Sequence, residues 1–386
     1  MKVSTFVYPW DVNGDPEAPD RIAALGVDQV TLASAYHSTR ALTPRHPRRR
    51  IVTAEHAAVY YPMDDDRWAG RQLRPCPAGD WAPGDAYGEA AEALHGAGLE
   101  VHTWVILAHN SRMGAEHPET SVVNAYGDRY PWAPCIAQPA TRAYLTGLAA
   151  EAAVRPGAAG TELESLGWYG LQHLHAHDKT AGVAPGDAGQ YLMALCFCPD
   201  CRAGYGEQGL DADELAAAVR EALEPLWRGT GDDAGWPTVE KLLGEPVAAA
   251  TRAWRDGRAR ALQEEAVTAV RAAAPAGFQV LLHADPVPYH CGANAGVDPA
   301  HVLSVADGVV VPCAGGTALL APFAEHARED TVLAANFGVV SGMGGSPGTL
   351  AADAERARAL GATELRLYHA GLASDGDLAA VRAALR

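Results

Sequence analysis

The sequence predicts an α/β fold, a (β/α)8 TIM barrel, because eight short apolar runs alternate with helical patterns along its 386 residues. Runs such as Val309-Val310-Val311 hold few polar residues, which is typical of parallel strands that are buried on both faces. A doubly wound open sheet is the alternative. It would favour a glycine-rich phosphate loop after the first strand, where Tyr8-Pro9-Trp10-Asp11 stands instead.

The predicted strands leave long insertions after strands two, three and four. In chain order, we place the strands at residues 3–8, 30–33, 101–107, 161–166, 278–282, 308–311, 332–335 and 364–368. The first insertion is predicted to hold a hairpin of residues 51–52 with residues 57–61. The third, at about residues 167–245, carries a cysteine cluster. We expect one barrel domain over residues 1–386.

Helical patterns fill the connections between these strands. They are predicted at residues 19–25, 87–95, 139–154, 211–227, 246–274, 347–360 and 377–385, with a short helix after Asp298. Asp298 followed by Pro299 is a typical N-cap with a proline in the first turn, and Gly361 is a typical helix stop.

Charge excludes several classes of function. The formal net charge of −17 argues against nucleic acid or an anionic membrane as the primary partner. The one basic run, residues 45–50, is interpreted as a solvated loop, with contact to an anionic substrate as the alternative. No signal-peptide pattern or membrane-spanning apolar run is evident, so we expect a cytoplasmic protein.

Aromatic, histidine and carboxylate residues gather at the predicted strand ends. The carboxyl ends of barrel strands meet at one mouth, where barrel enzymes hold their active sites. Aromatic rings beside neutral hydrogen-bonding groups and carboxylates suit a sugar, whose C–H faces stack on rings while its hydroxyls need donors and acceptors. The residues predicted to line this sugar site are Tyr36, His37, Trp168, His173, His177, His283 and Tyr368.

Glu162 and Glu164 lie on the fourth strand, where alternation turns both side chains to one side. Carboxylates held close together repel, which raises one pKa and favours a general acid. We therefore expect Glu164 to be the catalytic acid/base, with Asp285 at the end of the neighbouring strand as its partner and Glu162 as the alternative partner. The competing interpretation is a structural pair that holds loop backbone or an arginine.

Three alternating histidines, His173, His175 and His177, follow the fourth strand beside Asp178. They could bind a catalytic metal together with His283 and Asp285 of the fifth strand. They could equally hydrogen-bond a substrate or belong to an ordinary helix end. Their spacing matches no familiar metallohydrolase motif such as His-Glu-x-x-His.

Cys196, Cys198 and Cys201 form a C-x-C-x-x-C run that can supply three ligands to a tetrahedral zinc ion. Cys135 is the best candidate for the fourth ligand and Cys76 the second. Seven cysteines in a reducing compartment favour thiols or a metal over disulfides. We expect a structural zinc and no organic cofactor.

The order of Cys135, Glu164 and the C-x-C-x-x-C run resembles that of glycoside hydrolase family 42 β-galactosidases. The resemblance implies the barrel, a four-cysteine zinc site and an acid/base role for Glu164. The pattern departs from that family in two places. The seventh strand ends in Ala335-Asn336-Phe337 without the nucleophilic glutamate, and Leu163 replaces the asparagine that the family places before its acid/base. The family's mechanism is therefore not expected unchanged.

Three functions remain open from the sequence. The first is a glycoside hydrolase acting on a small glycoside or an oligosaccharide through a carboxylate pair. The second is a carbohydrate-binding barrel without hydrolytic activity. The third is a metal-dependent sugar isomerase or lyase that uses the histidine cluster. The sequence leaves the oligomeric state open, with a homo-oligomer as one alternative.

Overall fold

Eight parallel strands close into a barrel in the computed structural model, which describes residues 1–171, 178–180, 182–231 and 233–386. Each strand pairs in parallel with the next along the chain, and β1 pairs with both β2 and β8 to close the barrel. The predicted fold is confirmed. The strands are β1 Lys2–Val7, β2 Gln29–Tyr36, β3 Glu100–Ile106, β4 Gly160–Glu164, β5 Gln279–Asp285, β6 Gly308–Pro312, β7 Val332–Gly338 and β8 Glu364–Tyr368.

One helix packs outside the barrel after each strand. The helices are α1 Ala18–Ala23, α2 Ala86–Gly96, α3 Pro139–Ala153, α4 Glu245–Ala273, α5 Pro299–Val305, α6 Ala321–Ala324, α7 Leu350–Ala359 and α8 Asp375–Ala384. As predicted, Asp298 caps α5, because its side chain accepts the backbone N–H of His301 at 2.8 Å. No helix among the described residues is long and apolar enough to cross a membrane.

The barrel interior is polar on one side and apolar on the other. All eight residues of β2 are buried, and its Thr31 donates to Glu162 of β4 across the interior at 3.0 Å. Leu281, Val310 and Ala334 of β5, β6 and β7 belong to a separate buried apolar cluster. Since side chains alternate along a strand, Leu281 shares its face of β5 with His283. The polar side includes Ser4, Thr31, Glu162 and Arg366, which belong to β1, β2, β4 and β8.

The insertion after β2 differs from its prediction. Thr39–Leu42 pairs with Ile51–Ala54 in an antiparallel hairpin, whereas Ala58–Val59 pairs antiparallel with β2. The predicted pairing of residues 51–52 with 57–61 was therefore wrong. Ala58 and Val59 are both buried and pair with the carboxyl end of β2. This pairing with a barrel strand replaces the predicted hairpin with residues 51–52.

The insertions after β3 and β4 pack against each other. The first holds the helix Ser111–Glu116 and a hairpin of Ser121–Val123 with Arg129–Pro134. In the part of the second that the structure describes, there are four helices, Gly186–Ala194, Pro199–Glu207, Ala212–Trp227 and Trp236–Leu243. The two are joined by a backbone hydrogen bond of 2.7 Å from Phe197 to Val123 and by the Tyr130 hydroxyl, which donates to the Met193 carbonyl at 2.9 Å.

Candidate active site

A cavity of about 850 Å³ opens at the carboxyl ends of the strands. Its walls come from several strand ends, from the hairpin after β2 and from the loop after β7. The predicted mouth is therefore a real cavity with room for a sugar. The strand-end residues that line it are Tyr8, Tyr36, His37, His109, Glu164 and Tyr368.

Glu164 ends β4 and lines the cavity, with 13 % of its side chain exposed. Its Oε2 accepts the indole N–H of Trp104 at 2.7 Å and lies 3.8 Å from Nδ1 of His283. Among the described residues, none hydrogen-bonds to Oε1. Burial raises the pKa of Glu164, and the charge of Glu162 adds to this, although His283 and Trp104 act in the opposite direction. A carboxyl with a raised pKa and one unengaged oxygen suits a general acid.

The backbone after Glu164 adopts an unusual conformation. Ser165 has a φ of 58°, in the left-handed region that residues other than glycine rarely occupy. Its N–H donates to the Ala293 carbonyl at 2.8 Å, and its carbonyl accepts from the N–H of Ala108 at 3.0 Å. Neighbouring loops thus hold the turn that presents Glu164, as is common where a strained residue has a functional purpose.

Glu162 shares the face of Glu164 but lies beneath it, inside the barrel and outside the cavity lining. Its Oε1 accepts from Arg366 at 2.5 Å and from Thr31 at 3.0 Å, and its Oε2 lies 3.3 Å from Nε2 of His283. Burial alone would raise the pKa of Glu162, but Arg366 and His283 outweigh burial and lower the pKa to about 2. Glu162 is a fixed anion paired with an arginine.

Tyrosines and histidines form one wall of the cavity. The rings of Tyr8 and Tyr36 lie 5.0 Å apart, and His37 stacks on His109 at 4.6 Å. Burial raises the pKa of Tyr8, Tyr36 and Tyr368, so all three remain neutral phenols. The predicted sugar-site residues Tyr36, His37 and Tyr368 are therefore together, and they offer ring faces and neutral hydroxyls.

Asp285 ends β5, but it lies outside the cavity lining. Its Oδ1 accepts the N–H of Val287 at 2.8 Å, and its Oδ2 lies 3.1 Å from Nδ1 of His290. His290 also lies 3.4 Å from Asp187 in the insertion after β4. Asp285 and Asp187 thus both contact His290, and these contacts link the end of β5 to the insertion after β4.

Asp377, near the start of α8, is the second carboxylate that lines the cavity among the described residues. Its Oδ1 accepts from the Ser341 hydroxyl at 2.5 Å, which lowers the pKa of Asp377. Sequence reasoning missed this residue, because it lies at a helix start rather than at a strand end. The segment Ser374-Asp375-Gly376-Asp377 is a capping-box pattern, with Ser374 as the N-cap and Asp377 three residues later, and it places Asp377 in the first turn of α8.

Other predicted site residues lie elsewhere or outside the described residues. Trp168 is buried away from the cavity lining, where its indole N–H donates to the Arg255 carbonyl at 3.0 Å. His283 is buried between the two glutamates of β4 rather than in the lining. The cluster of His173, His175 and His177 lies outside the described residues.

The four predicted metal-binding cysteines come together in the structure. The sulfurs of Cys135, Cys196, Cys198 and Cys201 lie within 4.8 Å of one another, and Cys135 is 3.6 Å from both Cys198 and Cys201. All four residues are buried. A tetrahedral ion with Zn–S bonds of ~2.3 Å places its sulfurs about 3.8 Å apart.

Backbone groups support the same cluster. The sulfur of Cys196 accepts N–H groups from Val123 at 3.5 Å and from Cys198 at 3.4 Å. Such outer contacts orient ligands around a metal. Cys76, the second candidate for the fourth ligand, is half-buried and is not a member of the cluster. The four sulfurs could therefore hold a metal ion.

No protein-family model and no curated protein matches the sequence. Solved structures match it at low identity. The α-L-fucosidase isoenzyme 2 from Paenibacillus thiaminolyticus aligns over 100% of this chain with a TM-score of 0.59 and 12% identity, and the alignment spans 49% of that enzyme, about half its length. The PgaB (BpsB) glycoside hydrolase domain from Bordetella bronchiseptica aligns over 100% of this chain and 99% of its own, with a TM-score of 0.55 and 16% identity.

A GH42 β-galactosidase from G. stearothermophilus aligns over 100% of this chain and 56% of its own, with a TM-score of 0.54 and 11% identity. The chain therefore has a glycoside hydrolase-like barrel, and the resemblance to family 42 holds at the level of the fold. At such identities the shared fold does not transfer an activity, which depends on the site.

Proposed function

We propose that the protein is a glycoside hydrolase-like enzyme in which Glu164 is the general acid/base. The observation that carries the proposal is the position of Glu164, which ends β4 in the cavity with a raised pKa and an Oε1 that accepts no hydrogen bond from the described residues. The neighbouring structures are glycosidases, which supports a small glycoside or an oligosaccharide as the substrate class.

In the proposed reaction, the tyrosines of the cavity bind the sugar and Glu164 acts on the glycosidic bond. Tyr36 and Tyr368 present ring faces to the C–H faces of a sugar, and their neutral hydroxyls hydrogen-bond its hydroxyls. Glu164 donates its proton to the glycosidic oxygen as the bond to the leaving group breaks. Glu164 then becomes a carboxylate and can take a proton from an attacking water.

A second carboxylate completes the proposed chemistry, and Asp285 is our first choice because β4 and β5 are paired neighbours. In this role, Asp285 would have to give up its contact with His290 and interact with the substrate or with the attacking water instead. A separation of about 5.5 Å between the two carboxyls gives retention, and a wider gap gives inversion. Asp377, already in the cavity lining, is the alternative partner.

Turnover of a panel of aryl glycosides tests this function. We expect Glu164→Gln to fold and bind like the wild type and to lose ~10²–10⁴-fold in kcat. Glu207→Gln, on an exposed face of the insertion, is the matched control and should keep full activity. Wild-type turnover by Glu164→Gln would remove Glu164 from the mechanism.

A carbohydrate-binding barrel without hydrolysis is the second candidate. It is favoured by β7, whose Asn336-Phe337-Gly338 end has no carboxylate, and by the engagement of both Asp285 oxygens. Saturable binding of a sugar from the panel with no turnover by the wild type would establish this function instead.

We infer that the cysteine cluster holds a structural zinc. Four thiolate ligands are soft and favour zinc, and a closed four-sulfur site leaves no position for substrate. The ion would therefore support the insertions rather than the chemistry. A metal-dependent isomerase or lyase would instead lose activity with a chelator and regain it with a divalent ion.

A further inference from the structure

A line of charged and polar side chains crosses the barrel interior beneath Glu164. It runs from Arg366 of β8 to Glu162 and then to His283 of β5. The exposed fractions of these three side chains are 0 %, 0 % and 4 %. The line ends at Glu164, whose Oε2 lies 3.8 Å from His283 Nδ1.

Fold stability alone does not require such a line. Removing charges from water costs several kcal/mol per ion, and apolar residues of similar volume are often as stabilising. The other half of the same interior is filled by apolar side chains such as Leu281 and Val310. Charge is therefore concentrated on the side of the barrel that supports Glu164.

Arg366 fixes the charge of Glu162. Its guanidinium donates to Glu162 at 2.5 Å and to Glu364 at 2.8 Å, while Thr31 donates to the same oxygen of Glu162. An ionised carboxylate can only accept hydrogen bonds. The contact of 3.3 Å between Glu162 Oε2 and His283 Nε2 therefore requires the imidazole proton on Nε2.

This requirement leaves Nδ1 of His283 as the nitrogen that faces Glu164. When Glu164 carries its proton on Oε1, Nδ1 can remain unprotonated, because Oε2 already accepts from Trp104. When Glu164 is a carboxylate, the imidazole of His283 beside Oε2 stabilises that charge, which lowers the pKa of Glu164 against the effect of burial. Among the described residues, Phe6 of β1 and Trp104 of β3 also contact this pair, and His102 of β3 lies near Glu162. The titratable groups that interact with Glu164 from the cavity side are the tyrosines Tyr36, Tyr169 and Tyr368.

We propose that Arg366 and Glu162 are positioning residues that fix the tautomer of His283 and keep its Nδ1 beside Oε2 of Glu164. The indole of Trp104 holds that oxygen, and Oε1 is left to exchange a proton with the substrate. Glu162 sets the tautomer of His283, and His283 stabilises the Glu164 carboxylate after its proton has left. The catalytic part of this inference rests on the proposed function, whereas the tautomer of His283 does not.

Nitrogen NMR of histidine-labelled protein tests the tautomer without any substrate. At a pH where the imidazole is neutral, the His283 signals, assigned with His283→Gln, should show a protonated Nε2 and an unprotonated Nδ1. Glu162→Gln should give a mixture of tautomers. Glu364→Gln, which removes a partner of Arg366 rather than of His283, should leave the tautomer unchanged. A wild-type protein protonated on Nδ1 would overturn the proposal, even if Glu162→Gln failed to fold.

Kinetics test the catalytic part. Glu162→Gln should lower kcat by about 100-fold with little change in KM, since misplacement by ~1 Å costs about that much. His283→Gln should move the basic limb of the pH profile upward by about one pH unit, because a group that stabilises the Glu164 carboxylate is lost. Both variants are measured on a substrate that the wild type hydrolyses. If both keep the wild-type kcat and the wild-type position of the basic limb of the pH profile, the positioning role is wrong and the proposed function stands. If the wild type hydrolyses no glycoside, the proposed function fails and NMR still decides the tautomer.

Discussion

Glu162 and Glu164 stand two residues apart on β4, yet their surroundings move their pKa values in opposite directions. Burial raises the pKa of Glu164, whereas Arg366 and His283 outweigh burial at Glu162. A difference of this kind separates a proton donor from a fixed anion. The different roles that we propose for two identical side chains thus follow from their partners, above all from Arg366.

The raised pKa of Glu164 predicts the pH dependence of activity. A general acid works while it is protonated, so activity is present at low pH and falls as the pH rises through the pKa of Glu164. Since burial raises that pKa, the basic limb of kcat/KM should lie above the ordinary carboxyl value of 4.5. The position of this limb is measured from the profile of kcat/KM between about pH 3 and about pH 9, an interval that covers the titration of carboxyls and histidines. A basic limb at or below the ordinary carboxyl value would contradict the assignment.

The buried pair of Glu162 and Arg366 predicts a large effect on stability. Arg366→Met leaves Glu162 buried beside His283 without its cation, and it should lower the free energy of unfolding by about 3–5 kcal/mol. Urea unfolding measures the change. Arg358→Met, which breaks only an exposed pair with Glu355, should change the free energy by less than about 1 kcal/mol. If the two variants changed the free energy of unfolding by the same amount, the interior pair would contribute no more to stability than an exposed pair, and the prediction would be wrong.

At the scale of the elements, the four cysteines join the insertion after β3 to the insertion after β4. Cys135 follows the hairpin that ends at Pro134, and Cys198 caps the helix Pro199–Glu207. The spacing of Cys196, Cys198 and Cys201 predicted three members of this cluster, because short-range ligand spacing can be recognised without knowledge of the fold. Cys135 was the first of two candidates for the fourth ligand, and the resemblance to family 42 implied the same residue. The hairpin after β2 was predicted wrongly, since Ala58 and Val59 pair with a strand that is distant in sequence.

Metal analysis tests the cysteine cluster. Protein purified without chelators should contain about one zinc ion per chain, the expectation for a closed four-thiolate site. Cys198→Ser should lose the zinc, and hydrogen exchange should increase in the helices Gly186–Ala194 and Pro199–Glu207, because zinc binding contributes folding free energy. Cys313→Ser, a buried thiol outside the cluster, is the control and should keep the zinc. Zinc-free wild-type protein would contradict the inference.

At the scale of the whole molecule, the barrel was predictable because eight alternating units leave few other ways to bury parallel strands. The same rule brought Tyr36, His37, Glu164 and Tyr368 to one cavity, since strand ends converge. It could not tell which strand-end side chains turn away. Trp168 follows β4, and its hydrogen bond to the Arg255 carbonyl is set by packing against a helix that is distant in sequence. Asp285 ends β5, and the local loop after that strand turns it toward the N–H of Val287.

The central claim is that Glu164 protonates a leaving group, and the dependence of rate on that leaving group tests it most directly. With Glu164→Ala, hydrolysis of a glycoside with an alkyl leaving group should fall ~10²–10⁴-fold, because that oxygen needs a proton as it departs. A dinitrophenyl glycoside of the same sugar needs no such proton, and its bond-breaking step should remain near the wild-type rate. Equal losses on both substrates, or none on either, would contradict the account.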